Sequence, residues 1–271
     1  MIRRDPAASG VVTLLSDFGL EDAYVAAMKG VLISAKPDVR LVDVTHLIPA
    51  QDVEAAAWVL ASGYRWFPEG TVHLAVVDPG VGTDRAAIAL RADGHFFVAP
   101  DNGLLTPLLD RATEGDVRRL AAPEGASPTF HGRDVFAPAA ARLAGGAPFE
   151  SLGEPYAGAT VRPELTPTPF GERGERGVRG RIWHVDRFGN AITTIRARDV
   201  EALGQDVQIE VRGERIEGVA RTYADVGVGE IVALIGSAGA LEIAIRNGDA
   251  AGELGLDRGD PVTVIRRSAA R

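Results

Sequence analysis

The chain has 271 residues, 46% of them hydrophobic and 24% charged, with a formal net charge of −8 and a pI near 5.2. That is ordinary globular composition, and its acidity weighs against nucleic acid or an anionic membrane as the main partner, since both attract a positive field. The absence of cysteine excludes disulfides, thiolate metal sites and cysteine nucleophiles. The start MIRRDPAASG lacks the apolar region of a signal peptide and no apolar run is long enough to span a bilayer, so a cytoplasmic protein is expected.

From residue 10 to about 145 apolar runs alternate with helical periods. VVTLL is followed by a helical pattern through Tyr24, Val25, Met28, Val31 and Leu32, and then by VRLVDVT. A second helix starts near Asp52 and runs through Val53, Ala56, Ala57, Val59 and Leu60 into TVHLAVVD. This alternation predicts an α/β fold with a mainly parallel sheet covered by helices. AAIALR and HFFVAP flank ADG and read as a hairpin added to the sheet, and a further helix is expected over 133–145. PELTPTPFGERGERGVRG, rich in proline, glycine and charge, reads as a linker. The expected division is therefore an α/β domain over 1–165, a linker over 166–178 and a small all-β, barrel-like domain over 179–271. The last carries short strands (RIWHV, AITTI, VQIEV, IVALI, LEIAI, PVTVI) between Gly and Asp turns.

Ligands of open parallel sheets bind at the carboxyl ends of the strands. Three such ends here carry polar residues: SDFGLED, THLIPAQD and DPGVGTDR, which should place Asp17, Thr45 and Asp78 on one crevice. Each aspartate by itself is also an ordinary turn residue. FHGRD adds His131. If its loop folds over the same edge, His131 meets Asp78 and Arg85, and a carboxylate, a guanidinium and an imidazole around one water can orient it and take its proton. Asp134 suits a helix cap or a loop anchor. Motifs for dinucleotide binding, P-loops, zincins and serine-elbow hydrolases are absent.

In the second domain HVDRFGNAITT carries Asp186, Phe188 and Asn190. The stretch is a plausible β-turn, yet Phe188 is also suited to stack on a heterocycle and Asn190 to read an adenine edge. IGSAGALEIAIRNG adds Ser237, Glu242 and Asn247, with a solvated sheet face explaining Glu242 almost as well.

Taken together, SDFGLEDAYVAAMKG, VVDPGVGTDR, VAPDNGLL, FHGRDVFAPAAA and VDRFGN occur in the order and spacing of the S-adenosylmethionine hydroxide adenosyltransferases, relatives of the fluorinating and chlorinating adenosyl halogenases. The resemblance covers residues from about 11 to about 266. It implies a trimer with S-adenosylmethionine (SAM) bound between one subunit's N-terminal domain and its neighbour's C-terminal domain. It also implies attack of water or hydroxide on the ribose 5′ carbon, giving adenosine and L-methionine with no cofactor and no metal. Asp17 is then the grip on the ribose hydroxyls, and Asp78, Arg85 and His131 hold the water. Asp22 and Asp186 are expected near the methionine end. Asn190, Ser237 and Asn247 are expected at the adenine, Phe188 as its stacking surface, and Glu242 as a further substrate contact.

Where the fluorinating enzymes carry a tyrosine, this chain has Asp78; their halide-contacting serine aligns with Gly132 and their pocket tryptophan with Gln51. A carboxylate beside the nucleophile favours water over halide, and Gly132 is expected to leave room for that water. Halide transfer on the same scaffold is the nearest alternative. A calcium-dependent nucleoside hydrolase is less favoured, because the aspartate of its DTDPGxDD segment two places before the middle one is Leu15 here. A non-catalytic SAM or adenosine sensor would have no use for the Asp78, Arg85 and His131 trio.

Overall fold

Apolar runs long enough to be buried on both faces become central strands, and the amphipathic periods between them become the helices that cover those strands. A computed structural model describes residues 6–109, 112, 116–172, 175–204 and 206–267. The chain divides into two units, Met1–Val161 and Arg162–Arg271.

The first unit runs β1 (Val11–Ser16), α1 (Tyr24–Ala35), β2 (Arg40–Thr45), α2 (Val53–Gly63), β3 (Val72–Val76), β4 (Ala87–Ala92), β5 (His95–Pro100), α3 (Thr106–Leu109), β6 (Val117–Leu120), α4 (Ala137–Ala144) and β7 (Gly153–Pro155). Its seven-stranded sheet has the order β2-β1-β3-β5-β4-β6-β7. The pairs β2/β1, β1/β3 and β3/β5 are parallel, whereas β5/β4, β4/β6 and β6/β7 are antiparallel. The sheet is thus mixed rather than mainly parallel. The reversal begins at the expected hairpin, where Asp93 and Gly94 both take positive φ in a tight turn. Strands β6 and β7 escaped the sequence reading because VRRL is short and interrupted by charge, and GEP carries no apolar alternation.

Helices α1 and α4 bury Met28, Leu32 and Leu143 against Val12 and Leu14 on one face of the sheet, while α2 packs Ala56 and Leu60 near Leu15 and Phe97 on the other. Within the second layer lies a polar island. Thr13 Oγ1 is 2.8 Å from His73 Nδ1, and His73 Nε2 is 3.2 Å from His95 Nδ1, with the rings of Tyr64 and Phe97 around both histidines. Burial, with a smaller push from the charge of His95, lowers His73 to about 3. A histidine whose folded value lies below its unfolded value of about 6.5 stabilises the fold above that pH and loses the contribution as pH falls toward 3. Between pH 7 and 4.5 the wild type should lose about 3 kcal/mol of stability from this group, and His95, also lowered by burial, adds to the loss. Urea denaturation at the two pH values should show a smaller drop for His73→Gln than for the wild type. Equal drops would contradict this assignment.

The second unit runs β8 (Thr168–Glu172), β9 (Glu175–Val185), β10 (Ala191–Arg196), α5 (Ala197–Glu201), β11 (Val207–Val211), β12 (Glu214–Glu217), β13 (Ile231–Ile235), β14 (Ala240–Ile245), α6 (Ala250–Leu254) and β15 (Pro261–Arg266). Its antiparallel sheet has the order β12-β11-β15-β9-β10-β14-β13, with β8 against β9. Just past β12, Ala220 donates its N–H to Ala233 O at 2.8 Å, so the two sheet ends nearly close a barrel around Ile182, Ile209, Leu241 and Val264. Much of the stretch read as a linker over 166–178 is strand. Thr168 pairs with Arg179 and Phe170 with Gly177, where a Cβ would lie 2.3 Å from the Phe170 ring. Glycine there makes room for the aromatic ring, and the adjoining residues 173 and 174 lie outside the described ones.

Candidate active site

The order β2-β1-β3 makes the boundary between β1 and β3 a topological switch point. The chain leaves β1 toward one side and returns on the other, so the loops after β1 and β3 diverge and open a crevice at the carboxyl edge. Asp17 follows β1, and Asp78 lies two residues beyond β3. Thr45, at the end of β2, accepts the Leu47 N–H at 3.0 Å and so serves its own turn.

The three residues expected to hold water do meet. Arg85 Nε donates to Asp78 Oδ1 at 2.9 Å, Nη2 donates to Asp78 Oδ2, and the same Nη2 lies 2.9 Å from His131 Nδ1. The guanidinium also donates to the Ala86 carbonyl at 3.2 Å and sits over the Phe136 ring. The side chains of Arg85 and Asp78 are only 10% and 6% exposed, so the forked pair is largely out of water. One chemical consequence is firm. Arginine can only donate, so His131 Nδ1 must accept, and a neutral ring then carries its proton on Nε2. The donor of a neutral His131 ring is therefore its Nε2–H, and Asp78 is the member of the trio able to take a proton.

His131 stands at the head of a π-turn, Gly132–Phe136, that leads into α4, a wide turn often found at functional sites. Its loop is anchored by Asp134, which accepts the Ser127 N–H at 2.9 Å and two bonds from Arg133 at 2.6 and 2.8 Å. Asp134 is thus a loop anchor. A Cβ on Gly132 would lie 3.1 Å from Met28 Sδ, 3.3 Å from the Phe130 ring and 3.4 Å from the Phe18 ring, so its missing side chain admits apolar packing from these three residues. A cavity of about 510 Å³ opens beside Arg85 and His131, lined also by Asp84, Arg119 and Leu120.

Asp17 Oδ2 accepts the Gln51 N–H at 2.8 Å, while Oδ1 has no partner among the described residues. Gln51 reaches this position with φ +66°, a left-handed conformation that costs about 1 kcal/mol in a residue with a side chain. Asp22 is exposed in the turn before α1.

In the second unit Asp186 builds the turn after β9. Its Oδ1 accepts the N–H groups of Phe188 and Asn190 at 2.8 and 2.9 Å, and its Oδ2 accepts from Asn190 Nδ2 at 3.0 Å. One of the two amide hydrogens of Asn190 is therefore committed to the turn, and Phe188 presents its ring at 71% exposure. Gly189 takes φ +82° with Asp249 Oδ1 1.9 Å from where a Cβ would sit. Glu242 is not on a solvated face. It is buried at 7% exposure and accepts the hydroxyl of Tyr223, a partner the sequence did not reveal. Burial raises the Glu242 carboxyl; the Tyr223 bond lowers it in part, and the charge of Asp186 raises it further. Ser237 and Asn247 are both exposed but flank β14 at opposite ends. Six strand residues put roughly 20 Å between them, so one adenine ring cannot touch both.

An α/β unit with a switch-point edge and a linked carboxylate–guanidinium–imidazole trio, joined in one chain to a nearly closed antiparallel barrel, defines a two-domain α/β-plus-barrel protein. Residues 12–153 match the SAM hydroxide adenosyltransferase N-terminal domain and residues 180–263 the C-terminal domain, and the chain belongs to that family. It is 45% identical over 266 residues to the (R)-S-adenosyl-L-methionine hydrolase of Thermus thermophilus, covering 94% of this chain and 99% of that protein. A fluorinase of Nocardia brasiliensis is 30% identical over 86% of this chain and 89% of its own. The solved structure of an uncharacterized conserved protein from Thermotoga maritima superposes with a TM-score of 0.81 at 35% identity, covering 94% of this chain and all (100%) of that one. Among the described residues no helix is long and apolar enough to cross a membrane.

Proposed function

We propose that this protein hydrolyses S-adenosyl-L-methionine to adenosine and L-methionine by attack of water on the ribose 5′ carbon. The observation that carries this reading is the bridge of Arg85 between Asp78 and His131, and the 45% identity to a protein named (R)-S-adenosyl-L-methionine hydrolase supports it. The water donates one hydrogen bond to Asp78 and accepts another from His131 Nε2–H. As its oxygen bonds to the 5′ carbon, the carbon–sulfur bond breaks and the electron pair returns to sulfur, giving neutral methionine. The proton passes to Asp78 and on to solvent. A sulfonium leaves without protonation or a Lewis acid, so positioning and desolvation carry the rate and no metal takes part. Halide transfer is disfavoured for a reason of hydrogen bonding. Arg85 compensates the charge of Asp78, so repulsion is small, but a halide and a carboxylate are both acceptors and neither satisfies the other.

Asp17 holds the ribose hydroxyls, with Oδ1 free for one of them. Phe188 stacks on the adenine, and Asn190 and either Ser237 or Asn247 contact the substrate beside it. Asp22 and Asp186 act toward the methionine end, Asp186 chiefly by shaping its turn, and Glu242 is a further substrate contact. The active assembly is a trimer in which the first unit of one copy and the second unit of the next enclose the substrate.

The test is incubation with each sulfonium epimer of the substrate in oxygen-18 water with EDTA, with and without chloride or fluoride, followed by mass spectrometry. Adenosine labelled at its 5′ oxygen, with methionine released, is expected, with the (R) epimer of the relatives' name turned over faster. A halogenated nucleoside would overturn the choice of nucleophile, and free adenine would overturn the reaction.

A further inference from the structure

At the same sheet edge, beside Asp17, lies a chain of polar side chains to which the reaction above assigns no part. Ser16 is fully buried, and its hydroxyl is 2.7 Å from His46 Nδ1. His46 is 3% exposed, with Nε2 3.0 Å from Asp43 Oδ1, and Asp43 Oδ2 accepts from Lys29 Nζ at 2.6 Å. Burial raises the Asp43 carboxyl, but the bonds from Lys29 and His46 outweigh it and hold the group below the usual carboxylate range. Asp43 is therefore an acceptor. In the neutral ring that places the His46 proton on Nε2 and makes Nδ1 the acceptor of the Ser16 hydroxyl.

The residue types are those of a nucleophilic triad, yet the arrangement is not one. The serine is bonded through Nδ1 rather than Nε2 and has no exposed surface on which a substrate could be attacked. The chain ends on the crevice backbone instead. Gly19 donates its N–H to the His46 carbonyl at 2.8 Å, and Asp17 accepts the Gln51 N–H at 2.8 Å. The loop after β1 is thereby tied to the loop after β2 by the His46 ring, by the His46 carbonyl and by Asp17 itself. The left-handed backbone of Gln51, which aims its N–H at Asp17, is strain held in place by these ties.

We propose that His46, oriented by Asp43, is a positioning residue that fixes where the Asp17 carboxylate stands in the crevice and hence how well a ribose diol is recognised. This rests on the reading of Asp17 as the ribose grip. A carboxylate on a loop, held through one oxygen by one backbone donor, keeps rotational freedom. A displacement of about 1 Å is enough to spoil a bidentate contact.

The experiment compares, by calorimetry, the affinities of the wild type and of Asp17→Asn, His46→Ala and Asp43→Asn for adenosine and 2′-deoxyadenosine, alongside kcat and KM with SAM. The wild type should prefer adenosine by about tenfold or more, the worth of a hydrogen bond to a charged group. All three variants should reduce that preference to within about threefold, and His46→Ala and Asp43→Asn should raise KM for SAM by a larger factor than they lower kcat. Preference lost in Asp17→Asn but retained in the other two would overturn the role of His46 and leave that of Asp17 standing. Preference retained in Asp17→Asn would remove both. A fall in melting temperature alone, with the preference intact, would make His46 merely structural. If His46→Ala does not fold, Asp43→Asn decides, because Asp43 is 41% exposed and its replacement opens no cavity.

Discussion

Asp78→Asn should lower kcat by about 10²- to 10⁴-fold while KM stays within about threefold. The carboxylate accepts two of the donors of Arg85, and it is the group in the trio able to take the water's proton. An amide has the same shape but turns a donor toward one of the guanidinium N–H groups and cannot accept the proton. Because Nη2 of Arg85 also serves His131 Nδ1, the disturbance passes to the imidazole. His131→Ala should therefore cost much of the same factor, and the double variant should be little worse than the worse single one, since the three act as a unit. Breaking a buried pair also costs about 3 kcal/mol or more of stability, so a lower melting temperature should accompany the kinetic loss. Stopped assays on folded variants, checked by circular dichroism, measure both. Turnover near that of the wild type in Asp78→Asn would remove this carboxylate from the chemistry.

Gly189→Ala should destabilise the second unit by about 2–4 kcal/mol. The estimate combines the cost of left-handed backbone in a residue with a side chain with that of forcing an atom into occupied space. The occupied space is Asp249: its Oδ1 lies 1.9 Å and its Cα 2.9 Å from the position of the added carbon. Asp249 caps α6 by accepting the Gly252 N–H at 2.8 Å, and Ala251 donates its N–H to the Gly189 carbonyl at 2.9 Å. The substitution therefore pushes against the capping residue of a helix, whose Cα as well as its carboxylate lies in the way. The turn that carries Asp186, Phe188 and Asn190 should distort with it, and nucleoside binding should weaken. Thermal unfolding and adenosine titration test the two effects, and a variant of unchanged stability would contradict the geometry.

Several parts of the site could be read from the residues. Asp17 and Asp78 were legible because each follows an apolar run that can only be a buried strand, and strand ends are where a parallel sheet binds. The meeting of Arg85 with His131 was legible only as a condition on a loop 46 residues further along. The motifs' order supplied the rest of that expectation. The burial of Glu242 was not legible because strand alternation places a residue on a face without saying what covers that face. Tyr223, its partner, lies in a short turn with no periodicity of its own. His46 sat in plain view in THLIPAQD, but nothing local distinguishes a buried histidine bonded to Ser16 and Asp43 from an exposed one.

The sequence by itself determined the two-unit order, the first three parallel strands with their helices, the all-β second unit and the residue types gathered for chemistry. These follow from apolar periodicity and turn residues, which act over a few positions along the chain. Only the tertiary structure decided that half of the first sheet's pairings are antiparallel, that Gly132 packs against Met28, Phe130 and Phe18, that His131 turns its Nδ1 to Arg85, and that Ser237 and Asn247 lie at opposite ends of one strand. Each of these depends on which distant segments the folded path brings within hydrogen-bonding or van der Waals reach, and local pattern carries no record of that path.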